Sequence, residues 1–352
     1  MAFFSVTRHG RWTFVGPGGE PFVSIGVAHA HDTNLRYAHN RDIWRTRYGG
    51  SREKWLRDGL GADLRAWGFT TVGSTAEYIS GTGLGVTGTV VDLGHAEDLP
   101  GADVAQAGLP YVQALRVAEI ESWNGHPAYR DPRSPAFAEH CDHLARTLCR
   151  PEDPLLLGYF LVDGPAWARH PTGAGWPGPL AETAEAYYAT ATAAIRRYDP
   201  DHLILGDRFG TKAGAPDEVL DAAAKHVAVL SVQTFPGPGA LDTALETLDR
   251  WHRRTGLPVL VADTGNWCPT RLSPHRTGSM RDQADRAAGY VRTAEAFAAL
   301  DWCLGWHWCA YVENPQRGWG LKDPWDEPYE DLVGPIAEVN RRVAATWAVR
   351  GA

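Results

Sequence analysis

The stretch LLLGYFLVDGPAW, Leu155 to Trp167, decides how the rest of the 352-residue chain is read. An apolar run from Leu155 ends on Asp163, and Gly164-Pro165 then breaks it. A short apolar run bounded by turn residues is the pattern of a strand buried on both faces. Seven more runs repeat it: Pro21–Ala30, Phe69–Ser74, Leu109–Val117, His202–Phe209, Val227–Phe235, Pro258–Gly265 and Cys303–Tyr311. Between them lie stretches with apolar residues at helical spacing: Glu53–Trp67, Ala181–Tyr198 (stopped by Asp199-Pro200), Ala240–Thr255 and Arg281–Leu300. Eight strands separated by helices predict an α/β chain folded as a (β/α)8 TIM barrel. A doubly wound sheet competes, but no GxGxxG follows the first strand. Trp12–Glu20, ending in GPGGE, predicts a small N-terminal β-hairpin within residues 1–20, and the Gly-rich Gly81–Ala107 predicts a long loop. No composition break marks a linker, so residues 1–352 are expected to form one barrel domain with elaborated loops.

Composition narrows the function classes. Hydrophobic residues make up 44% and charged residues 22%, which suits a folded globular chain. The net charge of -8 is diffuse, which argues against a nucleic-acid partner. No apolar run approaches membrane-spanning length, so no membrane partner is expected. The start MAFFSVTRHGRWTF lacks signal-peptide organisation, and the five cysteines form no CxxC pair. Both point to a cytoplasmic location with reduced thiols.

In such a barrel the site forms at the C-terminal ends of the strands. The first strand ends in His29, His31 and Asp32, and the second near Glu77. The fourth ends in Asp163, the fifth in Asp207-Arg208, the sixth at Gln233, and the seventh at Asp263 with Trp267 beyond. The eighth carries Trp306, His307 and Trp308, followed by Glu313. Two carboxylates on opposite strands between aromatic walls suit glycoside hydrolysis. Asp163 and Asp263 stand at suitable strand ends; alternatively they are strand-end caps or ion-pair partners of Arg208. His29-x-His31 could hold a metal, but later strand ends do not complete a ligand set, so no metal or other cofactor is expected. Trp306 and Trp308 alternate, and serve either as core or as a sugar-stacking platform. Trp167, Trp176, Trp267 and Trp319 lie in loops near the same rim. These aromatics favour a ring-shaped ligand, and the absence of a GxSxG elbow disfavours a serine hydrolase.

At these residues the chain resembles the β-agarase-like retaining glycoside hydrolases. GVAHAHD (26–32) is similar to that group's first-strand segment, and RYGGSREKWLRDGLGADLRAWGFTTVGS (47–74) to its helix and second strand. HPAYRDPRSPAF (126–137), GYFLVDGPAW (158–167), LGWHWCAYVENP (304–315) and GWGLKDPWDEPYEDLVGPIAEVN (318–340) resemble further segments. The resemblance implies a barrel with its acid/base on strand four and its nucleophile on strand seven. Here the Asn-Glu pair that ends the family's fourth strand reads Asp163-Gly164, and the seventh-strand Glu reads Asp263. Aspartate is shorter than glutamate by one C–C bond, about 1.5 Å. The wider carboxyl gap predicts inversion, or a reaction with no covalent sugar intermediate.

The resulting expectation is a glycoside-hydrolase-like enzyme acting on an oligosaccharide or a sugar-containing small molecule. Asp263 would be base or nucleophile, with Asp163 or Glu313 as acid. Arg208 would hold the aspartates ionised, His31 and His307 would bind hydroxyls or relay a proton, and Gln233 would stand near the nucleophile. His29, Asp32, Glu77, Trp167, Trp267, Trp306 and Trp308 complete the expected binding surface. The alternatives are a repurposed isomerase, cyclase or lyase of natural-product biosynthesis, and a non-catalytic carbohydrate-binding barrel.

Overall fold

The computed structural model describes residues 2–37, 40–77, 98–118, 131–165, 167, 175–276, 278–314 and 319–350. Eight parallel strands close into a barrel in chain order: β1 (Ser24–Ala28), β2 (Thr71–Val72), β3 (Tyr111–Ala114), β4 (Leu156–Asp163), β5 (Leu203–Gly210), β6 (Leu230–Gln233), β7 (Val259–Thr264) and β8 (Cys303–Cys309). Each falls within the run read as its strand, except that β5 extends to Gly210. Sheet pairing runs unbroken round the ring, with β8 returning to β1 through Trp306↔Ile25 and Trp308↔Val27.

Two apolar layers hold the ring. Val112, Leu157, Phe160, Leu205, Leu260 and Leu304 point into the lumen and pack with Phe4 and Phe14 of the N-terminal segment. The larger cluster lies between strands and helices, with Tyr187, Tyr188, Tyr290, Phe297, Trp306 and Trp308 among its members. The Leu180–Tyr198, Leu241–Thr255 and Gln283–Ala299 helices lie close to their expected positions. Glu53–Trp67 differs: a π-helical turn, Trp55–Gly61, interrupts it. There a Cβ on Gly61 would stand 2.3 Å from the Ala107 carbonyl oxygen, so the close approach requires glycine.

The expected N-terminal hairpin is larger than the sequence suggested. It is a three-stranded antiparallel sheet of Ser5–His9, Arg11–Val15 and Pro21–Phe22, turning at Gly10 with φ 74°. Trp12 N donates to Asp301 O (2.6 Å), and Arg11 donates to Leu300 O (3.1 Å), just before β8 begins. The sheet therefore stops the N-terminal end of the barrel and leaves the C-terminal strand ends as the mouth. Of the expected Gly81–Ala107 loop, residues 81–97 lie outside the described residues. The remainder contains a helical turn at Gly101–Val104 and a 3-10 turn at Ala105–Ala107. No helix among the described residues is long and apolar enough to cross a membrane.

Candidate active site

Gly206 adopts φ 72° within β5, where the register against β4 shifts. Leu205 faces the lumen, Asp207 turns outward to the helices, and Arg208 turns inward at the mouth. Asp207 accepts from Tyr187 Oη (2.8 Å), Tyr188 Oη (2.8 Å) and Trp167 Nε1 (3.2 Å). Burial raises its carboxyl to about 6, against the opposing pull of these three donors.

Arg208 is 1% exposed and joins the two aspartates. Its Nη1 lies 3.0 Å from Asp163 Oδ1, and its Nη2 lies 3.0 Å from Asp263 Oδ2 and donates to Ala262 O (3.1 Å). Gln233 donates its side-chain amide to Asp163 Oδ1. Asp163 is thus ion-paired with Arg208 and accepts a hydrogen bond from Gln233.

His29 completes the cluster from β1. Its Nε2 lies 2.9 Å from Asp263 Oδ2 and its Nδ1 2.6 Å from Ala76 O. A carbonyl only accepts, so Nδ1 carries a hydrogen and Nε2 is the nitrogen that faces Asp263. The Ala76 carbonyl is itself fixed by Asp98, which accepts from Ser74 Oγ (3.0 Å), Thr75 N (2.9 Å) and Ala76 N (2.9 Å). Arg116 pairs with the same carboxylate at 2.8 Å. Burial alone would raise the Asp98 carboxyl, but Arg116 and the donated hydrogen bonds outweigh it and hold it at about 2. A continuous polar chain therefore runs Arg116–Asp98–Ala76–His29–Asp263–Arg208–Asp163–Gln233. Asp98, Arg116 and Cys309 were missed by the sequence reading. Position at a strand end was the available signal for Arg116 and Cys309, whereas Asp98 lies in an irregular segment. Cys309, His29 and Asp263 each place one possible metal-ligand atom within 4.8 Å of the others.

His307 lies below this chain, with Nε2 2.9 Å from Ser24 Oγ. Ser24 donates onward to Thr71 Oγ1, so Nε2 carries the hydrogen. Burial first, and the Arg208 charge second, lower His307 to about 3, so its imidazole is a neutral lumen group. A Cβ on Gly26 would come within 2.5 Å of this ring, so the glycine makes its room.

Several expected site residues lie elsewhere. Trp306 and Trp308 face the helical layer: Trp306 Nε1 donates to Tyr290 Oη (3.0 Å), and Trp308 meets Tyr290 edge-on at 4.7 Å. They are core and form no platform. Trp167 is buried behind β5, stacked on Trp176. Glu313 is fully buried and accepts from Thr270 Oγ1 and Tyr329 Oη (2.5 Å), and burial raises its carboxyl. It ties loops together and has no contact with the aspartates, which corrects its reading as an acid. Glu77 accepts from Asn34 Nδ2 (2.7 Å). Asp32 is fully buried against Arg36 and Arg52. His31 Nδ1 accepts from Thr33 N (3.1 Å), and burial lowers this imidazole. His29 and His31 thus take different partners, because β1 ends at Ala28 and His29 adopts φ 56°.

The aromatic wall of the mouth is Trp267 stacked on Trp319 at 4.9 Å and 21°, with Phe235 edge-on to Trp319 at 5.2 Å. All three are half-buried. They follow the ends of β7, β8 and β6.

No family model matches the chain. Over 171 residues it is 26% identical to a β-agarase A of Vibrio sp. (strain JT0107), covering 44% of this chain and 16% of that protein. A β-agarase B of the same organism is 27% identical over 170 residues, covering 45% and 17%. The matched part is thus about one sixth of the curated relatives' length. A solved exo-β-agarase superposes with a TM-score of 0.73 at 17% identity, covering 99% of this chain and 66% of that one. The fold is agarase-like. A β-galacturonidase from Eisenbergiella tayi superposes less closely, with a TM-score of 0.61 at 11% identity, covering 97% and 54%. Within the agarase-like barrel, the carboxylates joined by Arg208 stand at the ends of β4 and β7.

Proposed function

We propose that this agarase-like barrel hydrolyses a glycoside at the mouth between Asp263 and the Trp267–Trp319 wall. The observation that carries the reading is the Asp163–Arg208–Asp263 bridge, which brings the β4 and β7 carboxylates to one mouth. The indole faces offer an apolar surface to the C–H face of a sugar ring. Asp263 acts as general base: it takes a proton from water as the water oxygen bonds to the anomeric carbon. His29, with Nε2 2.9 Å from Asp263 Oδ2, can take up part of the charge change that follows. The short aspartate leaves room for that water, which supports inversion at the anomeric carbon. Asp163, fixed by Arg208 and Gln233, is positioned to accept a sugar hydroxyl. The test is turnover of β-linked aryl glycosides and agaro-oligosaccharides, with the first-formed anomer read by NMR. Asp263→Asn is expected to lower kcat by about 10²–10⁴-fold; an undiminished rate overturns the reading.

A second reading, a sugar-binding barrel without turnover, is favoured by Gly164, which offers no proton donor where the resembling family has its acid. It predicts calorimetric binding of sugar with no product after long incubation, and any turnover dependent on Asp263 removes it.

A further inference from the structure

We infer that a groove opening beside Gly164 receives the leaving group of the substrate, and that this group is an aromatic alcohol of the phenol class rather than a second sugar. The inference rests on the hydrolytic reading above and extends it to substrate class.

Gly164 has φ 56° and follows Asp163 directly. From it an open groove of about 730 Å³ runs along the ends of β5 and β6 to the Leu241–Thr255 helix. That volume is in the range of small-molecule sites, roughly 300–1,000 Å³. Its walls include Thr211, Phe235, Pro236, Ala240 and Ala244, and they are mainly apolar. Gln233 belongs to both places: it lines the groove and donates to Asp163. A molecule whose sugar lies over Asp263 therefore has its other end led past Gln233 and Gly164 into the groove.

The chemistry at that junction restricts what can leave. Glycine supplies no proton, and Asp163 is engaged in an ion pair with Arg208 and a hydrogen bond from Gln233. As the water oxygen bonds to the anomeric carbon and Asp263 takes its proton, the bond to the leaving oxygen breaks. The electron pair departs on that oxygen, and neither Gly164 nor the engaged Asp163 supplies it a proton. A sugar alkoxide is too basic to leave this way. A phenolate delocalises the charge, and its ring suits apolar walls. Among the described residues lining the groove Lys212 is the charged one, and its ammonium complements the departing anion.

The experiment uses the full chain and two readouts. In the first, 4-nitrophenyl, phenyl and methyl glycosides of one sugar are compared. The expected kcat/KM falls at least tenfold at each step from nitrophenyl to phenyl to methyl; equal rates on aryl and methyl glycosides overturn the inference. In the second, 2-naphthol alone is titrated by calorimetry into wild type, Ala244→Trp and Ala240→Trp. Wild type is expected to bind it, and both variants to weaken binding at least tenfold. Ala240 is exposed, so its variant serves if Ala244→Trp does not fold. Naphthol binding blocked by the variants, with no glycoside turned over, sustains the groove and removes the hydrolytic reading. Turnover that the variants leave unchanged, with no naphthol binding, sustains hydrolysis and removes the groove.

Discussion

Nε2 of His29 lies 2.9 Å from Oδ2 of Asp263, across 234 positions of sequence, and the Ala76 carbonyl on Nδ1 leaves the imidazole one tautomer to offer. The pair can therefore pass a proton between carboxylate and ring without either side chain moving. His29→Asn tests this, because asparagine tolerates the left-handed backbone that His29 occupies. Its kcat on a β-linked aryl glycoside is expected to fall by about 10–100-fold, with KM nearly unchanged. A variant with wild-type kcat would assign His29 to packing alone.

Arg208 carries the complementary charge. It is buried with both aspartates, so removing it strands two carboxylates away from water. Arg208→Met is expected to cost about 3–5 kcal/mol in urea unfolding. Arg208→Lys should recover only part of that, because an ammonium cannot present two parallel donors to two acids. Combining Arg208→Met with Asp163→Asn should cost less than the two changes added. Strict additivity would mean that the bridge is not an energetic unit.

The barrel was legible because each strand is a separate apolar run closed by a polar residue, and strand ends in a barrel converge. That reading led directly to Asp163, Arg208, Gln233 and Asp263. It could not tell which face of a strand looks inward, since both faces of a barrel strand are apolar. For Cys303–Cys309 the alternation separates His307 from Trp306 and Trp308 but leaves the choice of face open. The structure puts His307 in the lumen, and glycine at 26 provides the space for it. Period-2 reasoning also grouped His29 with His31, yet the strand has ended and the left-handed turn at His29 sends the rings apart. Asp98 escaped notice because it lies in an irregular segment, and its pairing with Arg116 at the end of strand three is purely tertiary.

The lumen histidine makes stability depend on pH. Folding holds His307 at about 3, below the ordinary histidine value near 6.5. Between these values the unfolded chain binds the proton more readily, so stability rises with pH from about 3 to about 6.5 and this contribution is complete above it. Asp207, raised to about 6, acts in the opposite sense: from its ordinary value near 3.9 up to about 6, rising pH removes stability. His307→Asn should flatten the acid side of the thermal stability profile, while Asp207→Asn should steepen its rise across that window. An unchanged acid limb in His307→Asn would show that the imidazole is not the titrating group.

The tryptophans divide by position, and two variants separate their roles. Trp319 is half-buried at the mouth, stacked on Trp267, so Trp319→Ala removes the surface proposed to hold the sugar. It should raise KM about tenfold or reduce calorimetric sugar affinity equally, since a lost stacking contact is worth about 0.5–1.5 kcal/mol beyond its buried area. Its effect on unfolding should be small, because part of the ring already faces solvent. Trp306 is 1% exposed beneath the Gln283–Ala299 helix and donates to Tyr290. Trp306→Ala opens a cavity there and removes the donor to the Tyr290 hydroxyl, which should cost about 3–5 kcal/mol of stability. Below its melting range that variant should keep wild-type sugar affinity, because no atom of the indole reaches the mouth. If instead Trp306→Ala weakens sugar binding while Trp319→Ala does not, the ligand sits on the opposite side of β8 from the wall described above.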